Sequence, residues 1–296
     1  MLALSEKFGF ELTILWINNE ALNTSFDRLF MPFHRENVTV VDLPSGFPED
    51  FGFTGSGKRS NSMVKNLVNK TKRFKLNKSA NQLLKRLQKI DASRIIDDWG
   101  YFRKIYASFD ADDAMDIHQM DLNFLEKTQP VIEDFIMGNA EDKFISTCYR
   151  IHPLADNYQD FKPVSGILDT VATKVGNVKD SYGLHVRTTD HKAALKFSPL
   201  TKFISLIEAT LDENQQAEFF LSTDSASVKS ELTGRFGSKI LFNDVSSYDR
   251  NHPDAAIDAL IDLFCLARTK RIYGSHHSSF SQTAADIGNI EKITVK

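Results

Sequence analysis

The sequence predicts an α/β fold built on parallel strands and split between two domains, and three stretches carry that reading. Tyr182 to Val186 is a short apolar strand that ends on Arg187 and runs on into Thr188-Thr189-Asp190. Glu218-Phe-Phe-Leu-Ser-Thr-Asp224 is a second apolar strand that stops in hydroxyls and an acid, followed by a Ser- or Asp-capped helix from Ser225 to Leu232. Ala255 to Ala267 reads as a helix, Arg271-Ile-Tyr273 as a strand, and Gly274-Ser-His-His-Ser-Ser279 as a polar loop that enters another helix at Phe280. Strands alternating with helices in this way build βαβ units. Their polar residues gather where such sheets bind ligands, outside the carboxyl ends of the strands.

The chain of 296 residues is long enough for one large or two ordinary domains, each with its own core. Pro153 and Pro163 bracket a linker, which divides residues 1–159 from residues 160–296 and leaves Val164 to Lys174 as the helix before the central strand.

The first domain opens with an amphipathic helix, Met1 to Phe8, ended by Gly9, and a strand from Phe10 to Ile17. Phe26 to Phe30 is a short helical turn and Val38 to Asp42 the next strand. Pro44, Gly46, Pro48, Gly52, Gly55 and Gly57 then punctuate a long loop. Within it, Gly52-Phe-Thr-Gly-Ser-Gly-Lys58 matches most of a phosphate-binding loop. Arg59 stands where such loops need a magnesium-binding hydroxyl, and no buried strand leads in, so the stretch reads as a loop without that function.

Lys58 to Ile90 holds eleven basic residues and no acid, which leaves 25 basic against 39 acidic side chains in the rest of the chain. Helical periodicity in Met63, Val64, Leu67 and Val68, and again in Leu83, Leu84, Leu87 and Ile90, marks 58–90 as a folded helical insertion. The plain account is a solvated helical face; the sharper one, ranked behind it, is a patch that draws an anionic acceptor, such as a phosphate-linked glycan, or an acidic membrane surface. Nucleic acid ranks lower again, because the acidic remainder repels it and no aromatic interleaving is present.

Trp99 to Tyr106 reads as an aromatic strand or helix, and Asp110 to Asp116 as an acidic run. Asp110 and Asp112 form the D-x-D pair that holds manganese in some glycosyltransferases, but they sit in a charged turn or helix start rather than at a strand end. Acids favouring a helix N-terminus explain them better. Lys143 to Cys148 closes the first domain as a strand. Cys148 and Cys265 lie in apolar surroundings without metal spacing, as buried free thiols in a reducing compartment would. A mean hydropathy of -0.29, no long apolar run and no signal-peptide pattern describe a soluble, cytoplasmic protein whose route to a membrane surface is peripheral contact through 58–90.

The order Gly183-Leu-His-Val-Arg-Thr-Thr-Asp190, Leu221-Ser-Thr-Asp224, Asp262-Leu-Phe-Cys-Leu-Ala267 and Ser275-His-His-Ser-Ser-Phe-Ser-Gln-Thr-Ala-Ala285 resembles the fucosyltransferase superfamily. That superfamily includes the α-1,6-fucosyltransferases, the bacterial nodulation fucosyltransferases and the protein O-fucosyltransferases. The resemblance implies a GT-B fold, two Rossmann-like domains facing across a cleft, with the donor nucleotide held mainly by the second. It implies inverting transfer of fucose from GDP-fucose to a glycan acceptor, without a metal or other cofactor. Arg187 matches the arginine that grips the β-phosphate, and His185 would lie near guanine through its main chain. Asp262 would accept from the guanine amino and ring N–H groups. Ser278, Ser279 and the helix start at Phe280 would cap the phosphates.

Departures from the family pattern are equally specific. Thr188 stands where a second arginine is common, and no glutamate falls between Asp190 and Leu206 to serve as base. Asp190 and His191 are then the nearest groups for the acceptor proton, although Asp190 serves equally as a carboxylate holding Arg187 or the adjacent loop. Asp224 replaces the first of two acids usual after its strand, with Ser225 in the second place. The strand and glycine-rich loop that precede the first helix in the family do not appear, through a late start, a trimmed chain or a true loss. His276 and His277 either donate to the diphosphate or are exposed loop residues. Zinc would need more ligands, and a serine-hydrolase role for Ser278 lacks its nucleophile elbow. Two alternatives stay open: a non-catalytic nucleotide-sugar or glycan-binding relative, and a transferase using another GDP-sugar.

Overall fold

The computed structural model describes residues 1–18, 22–43, 78–87, 89–90, 94–97, 105, 117–139, 141–147, 150–153, 158–188, 192–249 and 251–296. They form two units, Met1–Phe26 with Pro32–Asp160, and Asp27–Met31 with Phe161–Lys296.

In the first unit, helix α1 (Leu2–Phe8) stops at Gly9, whose φ of 67° is the left-handed conformation that glycine adopts without cost. Strands β1 (Leu12–Ile17) and β2 (Val38–Leu43) pair in parallel from Leu12↔Val38 to Ile17↔Leu43. Helix α2 (Lys78–Leu87) lays Ala80, Leu84 and Leu87, with Ile90, against Val41 and Leu43. Lys78, Lys85 and Lys89 face outward, and Arg86 reaches Asp142. The apolar side of this basic helix is therefore spent on its own core, which removes it as a membrane-inserting face. The remainder of the 58–90 insertion lies outside the described residues, as do the Gly52–Lys58 loop, Trp99, Asp110, Asp112 and Cys148.

Strands β3 (Ile95–Asp97) and β4 (Phe144–Ser146) make a second parallel pair. Between them runs α3 (Ile117–Met137), a 21-residue helix carrying Pro130 in its interior. Its Phe124 and Ile132 are fully buried with Leu4 and Ile151. Glu133 on the same helix accepts from His152 Nε2 at 2.9 Å and Lys7 Nζ at 3.1 Å, and the His152 hydrogen bond first, then Lys7 and Gln129, lower its pKa to about 2.

The second unit follows strand–helix alternation: α4 (Ser165–Val178), β5 (Tyr182–Val186), α5 (Lys192–Phe197), α6 (Leu200–Glu213), β6 (Phe219–Thr223), α7 (Ala226–Phe236), β7 (Ile240–Phe242), α8 (Ala255–Leu266), β8 (Ile272–Ser275), α9 (Ser279–Gly288) and β9 (Lys292–Val295). All five strands run parallel in the order β7-β6-β5-β8-β9. Ser225 caps α7 as its sequence position predicts, accepting from Val228 N. The loop expected from Gly274 is shorter than the sequence implied. Gly274 and Ser275 belong to β8 because they pair with Thr294 and Val295 of β9, a strand that the local sequence does not announce.

Alternation along β5 and β6 gives the sheet two unlike faces. Leu184, Val186, Phe219 and Leu221 pack with Phe203, Ile204 and Ile207 of α6 and with Val228 and Leu232 of α7. The opposite face carries Gly183, His185, Ser222 and Gly274, and it receives α8 and α9. A Cβ at Gly183 would meet Thr269 Oγ1 at 2.8 Å and Leu266 Cδ2 at 3.0 Å. One at Gly274 would meet Ser281 Oγ at 2.5 Å and its Cβ at 2.8 Å. Glycine at these positions lets the helices sit directly on the strands. The segment Asp27–Met31 joins this unit through Met31 N–H to Lys162 O, Val164 N–H to Leu29 O, and an Arg28–Asp254 ion pair at 2.6 Å.

Gly274→Ala forces Ser281 and the first turn of α9 off the sheet, an overpacking cost of about 1–3 kcal/mol. The expected result is a lowered midpoint in chemical denaturation, and an unchanged midpoint would contradict this packing.

Candidate functional site

The strand order reverses at β5, with β6 and β7 on one side and β8 and β9 on the other, so the crevice at the carboxyl ends of β5 and β8 is the switch point where open α/β sheets bind ligands. The β5–β8 ladder ends at His185↔Gly274. One step further a side chain takes over from the backbone: Ser275 Oγ accepts from Arg187 N–H at 3.0 Å and donates to His185 O at 3.2 Å. Ser275 is fully buried. On the other flank, Thr188 N–H donates to Asp224 Oδ1 at 3.0 Å, from the end of β6. Arg187, half-buried, thus leaves the sheet from a backbone held on both sides.

The turn from β8 into α9 is equally fixed. His276 N–H donates to Ser198 Oγ at 2.8 Å, and Ser198 Oγ donates to Val295 O. His277 takes a left-handed φ of 54°. Ser278, the residue before α9, is buried with its hydroxyl 3.1 Å from His185 Nδ1. The side chain is turned inward toward the imidazole. Ser279 is exposed at the first position of α9, and Phe280 lays its ring 4.9 Å from that of His185. Donors toward an anion here come from the first N–H groups of α9, which have no intrahelical acceptors. His276 is buried against Phe197, so it is not the exposed loop residue that its neighbours suggested.

His185 is 7% exposed, and burial lowers its pKa to about 4, so the ring is neutral near pH 7. Its carbonyl takes the Ser275 hydroxyl and its side chain contacts α9, so both halves of the residue serve the crevice wall.

Asp262 lies on α8 behind Ser222, the residue of β6 in register with His185. It is 6% exposed, and burial, aided by Asp258, raises its pKa to about 7. Ser222 and Asn243 lie near enough to oppose that rise. Even so, among the described residues Asp262 Oδ1 accepts no hydrogen bond and Asn243 Nδ2 donates none. Asn243 follows β7 and is also 6% exposed. The loop beyond it is tied to α8 by Ser246 N–H donating to Asp258 Oδ2 at 2.6 Å. It also brings Tyr248, half-buried, beside Asp262, whose charge together with burial raises the phenol pKa. Cys265, one turn along α8, is a fully buried free thiol pushed up to about 12 and therefore unreactive.

The structure thus brings His185, Arg187, Asp224 and the Ser278–Phe280 turn together at the strand ends, and sets Asp262 behind β6. Asp190 and His191 lie outside the described residues. Sequence reasoning missed Ser275, Ser198 and Asn243, which look like ordinary loop residues. Only the Ser198-Pro199 step before α6 signals anything local, as a helix entry. Among the described residues no cluster of three or more His, Cys, Asp or Glu side chains is arranged to hold a metal, and no helix is long and apolar enough to cross a membrane.

Comparison with solved structures fixes the class of fold. The chain matches the selenomethionine form of fucosyltransferase NodZ from Bradyrhizobium with a TM-score of 0.50 and 16% identity, over 96% of this chain and 85% of that one. NodZ α-1,6-fucosyltransferase co-crystallized with GDP matches at 0.48 and 16% identity, over 96% and 85%. POFUT1 in complex with GDP matches at 0.42 and 11% identity, over 92% and 84%. No protein-family model matches the chain, and no curated protein matches it by sequence. The architecture is α/β with parallel sheets, a fold shared with that NodZ structure.

Two outcomes test this electrostatic layout. Asp262 has a folded pKa above its ordinary 3.8, so the stability linked to it is full below about pH 4 and is lost as pH rises toward 7. His185 has a folded pKa below its ordinary 6.5, so its contribution is full above 6.5 and is lost as pH falls toward 4. Asp262→Asn removes only the first trend. Its stability relative to wild type should therefore be higher at pH 7 than at about pH 4.5 in denaturant titrations; an equal difference at both would contradict the assignment. Separately, Ser275→Ala strands the Arg187 N–H and should cost about 1–3 kcal/mol of stability, read from the same titrations.

Proposed function

We propose that this protein is a glycosyltransferase that takes its sugar from a GDP-sugar, GDP-fucose in the first instance, and passes it to a glycan. The observation that carries the reading is the placement of Arg187 at the end of β5 with the start of α9 at the end of the neighbouring β8. A guanidinium and a helix N-terminus at one switch-point crevice suit a diphosphate. The four ordered motifs and the fucosyltransferase type of fold support the choice of donor.

In the proposed reaction the acceptor hydroxyl oxygen attacks C1 of fucose from the face opposite the nucleotide, and the bond from C1 to the β-phosphate oxygen breaks. The electron pair leaves with that oxygen, giving GDP and inversion at C1. Arg187 and the N–H groups of α9 meet the charge that grows on the diphosphate, and a planar fork does this better than lysine. The acceptor proton goes to Asp190 or His191, the first carboxylate and the first imidazole that follow Arg187 in the chain. Asp262, ionised, accepts from the ring N–H and amino group of guanine. The exposed lysines of α2 suit an anionic acceptor, including a lipid-linked one.

Calorimetric titration with GDP, GDP-fucose, GDP-mannose and UDP tests the reading. GDP compounds should bind and UDP should not, and Arg187→Ala should weaken GDP by about 10- to 100-fold, the worth of a charge-assisted hydrogen bond. No binding of any guanosine compound would end the proposal. Binding without GDP release from GDP-fucose on any glycan offered would favour the non-catalytic relative instead. GDP affinity should also fall as pH drops below about 7, because protonation removes an acceptor from Asp262, and Asp262→Asn should abolish that dependence.

A further inference from the structure

The sheet of the second unit ends on β9, and among the described residues no strand pairs with its outer side. Parallel pairing with β8 uses the backbone groups of alternate residues of β9, so the others point outward, the arrangement by which an edge strand accepts another chain. Beside this edge lies an open groove of about 450 Å³, between β9 and the first two turns of α6. Leu206, Ile293 and Val295 give it an apolar lining, Ser205 a hydroxyl, and Lys202 and Lys296 positive charge. No acidic side chain among the described residues lines it. Lys202 Nζ donates to Phe197 O at 3.3 Å, an exposed hydrogen bond that a carboxylate can replace. The opposite edge of the sheet differs: β7 is 3 residues long, and Lys229 Nζ lies 3.7 Å from the ring centre of its Phe242.

Charge decides what the β9 edge accepts. Lys292 and Lys296 share one face of the strand by alternation. Antiparallel pairing of β9 with a second copy, centred on Thr294, would set Lys292 of each chain opposite Lys296 of the other, and like charges directly opposite are destabilising. Lysines on an edge strand thus keep copies of the chain apart. The same charges, with Lys202 on the helix side, favour a strand that brings carboxylates. Alternation then turns the other side chains of that strand toward Leu206, Ile293 and Val295. We infer that the β9 edge is a docking site for an extended acidic segment of a partner protein, which joins the 5-stranded sheet as one more strand and lays its apolar side chains in the groove. Backbone pairing supplies the affinity, and the lysines select the sign of the charge. The surface belongs to the second unit alone and is independent of the donor-nucleotide reading.

The test uses the full chain and a fluorescein-labelled probe, the peptide Glu-Val-Glu-Val-Glu, followed by fluorescence polarisation. The probe should bind, and Lys202→Glu or Lys296→Glu should weaken it by about 10- to 100-fold, the worth of a charge-assisted hydrogen bond. Both lysines are exposed, so neither change threatens the fold. Strand pairing uses alternate N–H groups. N-methylation of the valines in one peptide and of the glutamates in another should therefore abolish binding in one of the two and spare it in the other. Amides of 292–296 should slow their exchange with the probe bound, while those of β7 should not. Equal behaviour of the two methylated peptides would mean charge attraction without strand addition and would overturn the inference. Absence of binding at millimolar probe would do the same, as would capture by phosphatidylserine vesicles that the probe cannot displace. A dimer in sedimentation that protects 292–296 and resists the probe would assign the edge to a second copy instead.

Discussion

The second unit depends on how the sheet comes apart at its carboxyl edge. Parallel strands that diverge at a switch point leave backbone groups without partners, and in a buried crevice those groups need side chains to replace the ladder. Ser275 does this for β5 and β8, with one hydroxyl that accepts from Arg187 N–H and donates to His185 O. Asp224 does it between β5 and β6 through Thr188. The consequence is functional: the backbone of Arg187 is fixed before any ligand arrives, so its guanidinium starts from a rigid point rather than from a loop.

A second constraint is the polarity of one sheet face. The row Ser222, His185 and Gly274 crosses three adjacent strands where a packing face would ordinarily be apolar. Burial there pushes the two titratable groups toward neutrality from opposite sides, His185 losing its proton and Asp262 gaining one. Opposed shifts let the face remain buried without a net charge, and they leave Asp262 poised near neutrality, where a partner that donates hydrogen bonds can draw it to the ionised form. Structural helices such as α6 and α7 need none of this, and they cover a cluster of aliphatic and aromatic side chains on their side of the sheet.

Much of this was legible in the sequence, for identifiable reasons. The apolar runs at 182–186 and 219–223 are bounded by hydroxyls and charges, so their ends and the residues presented there could be read directly. Gly274 and Ser275 could not be read as strand, because glycine and serine carry little strand preference and the deciding partner lies at 292–295. The inward turn of Ser278 follows from a histidine 93 residues earlier in the chain. Ser275 meets Arg187 across 88 residues, a separation at which no local pattern operates. Helix α3 was hidden by Pro130, which ordinarily argues against a helix interior, and it survives there because Phe124 and Ile132 are buried around it.

The central claim is that a guanosine diphosphate sits at the carboxyl ends of β5 and β8 against the start of α9. Amide hydrogen exchange, followed by mass spectrometry with and without saturating GDP, addresses it most directly. Peptides covering 182–188 and 272–281 should slow their exchange on binding, together with 243–248 and the part of α8 around Asp262, while β3, β4 and α3 should not change. Protection confined to the first unit, or none at saturating GDP, would contradict the site.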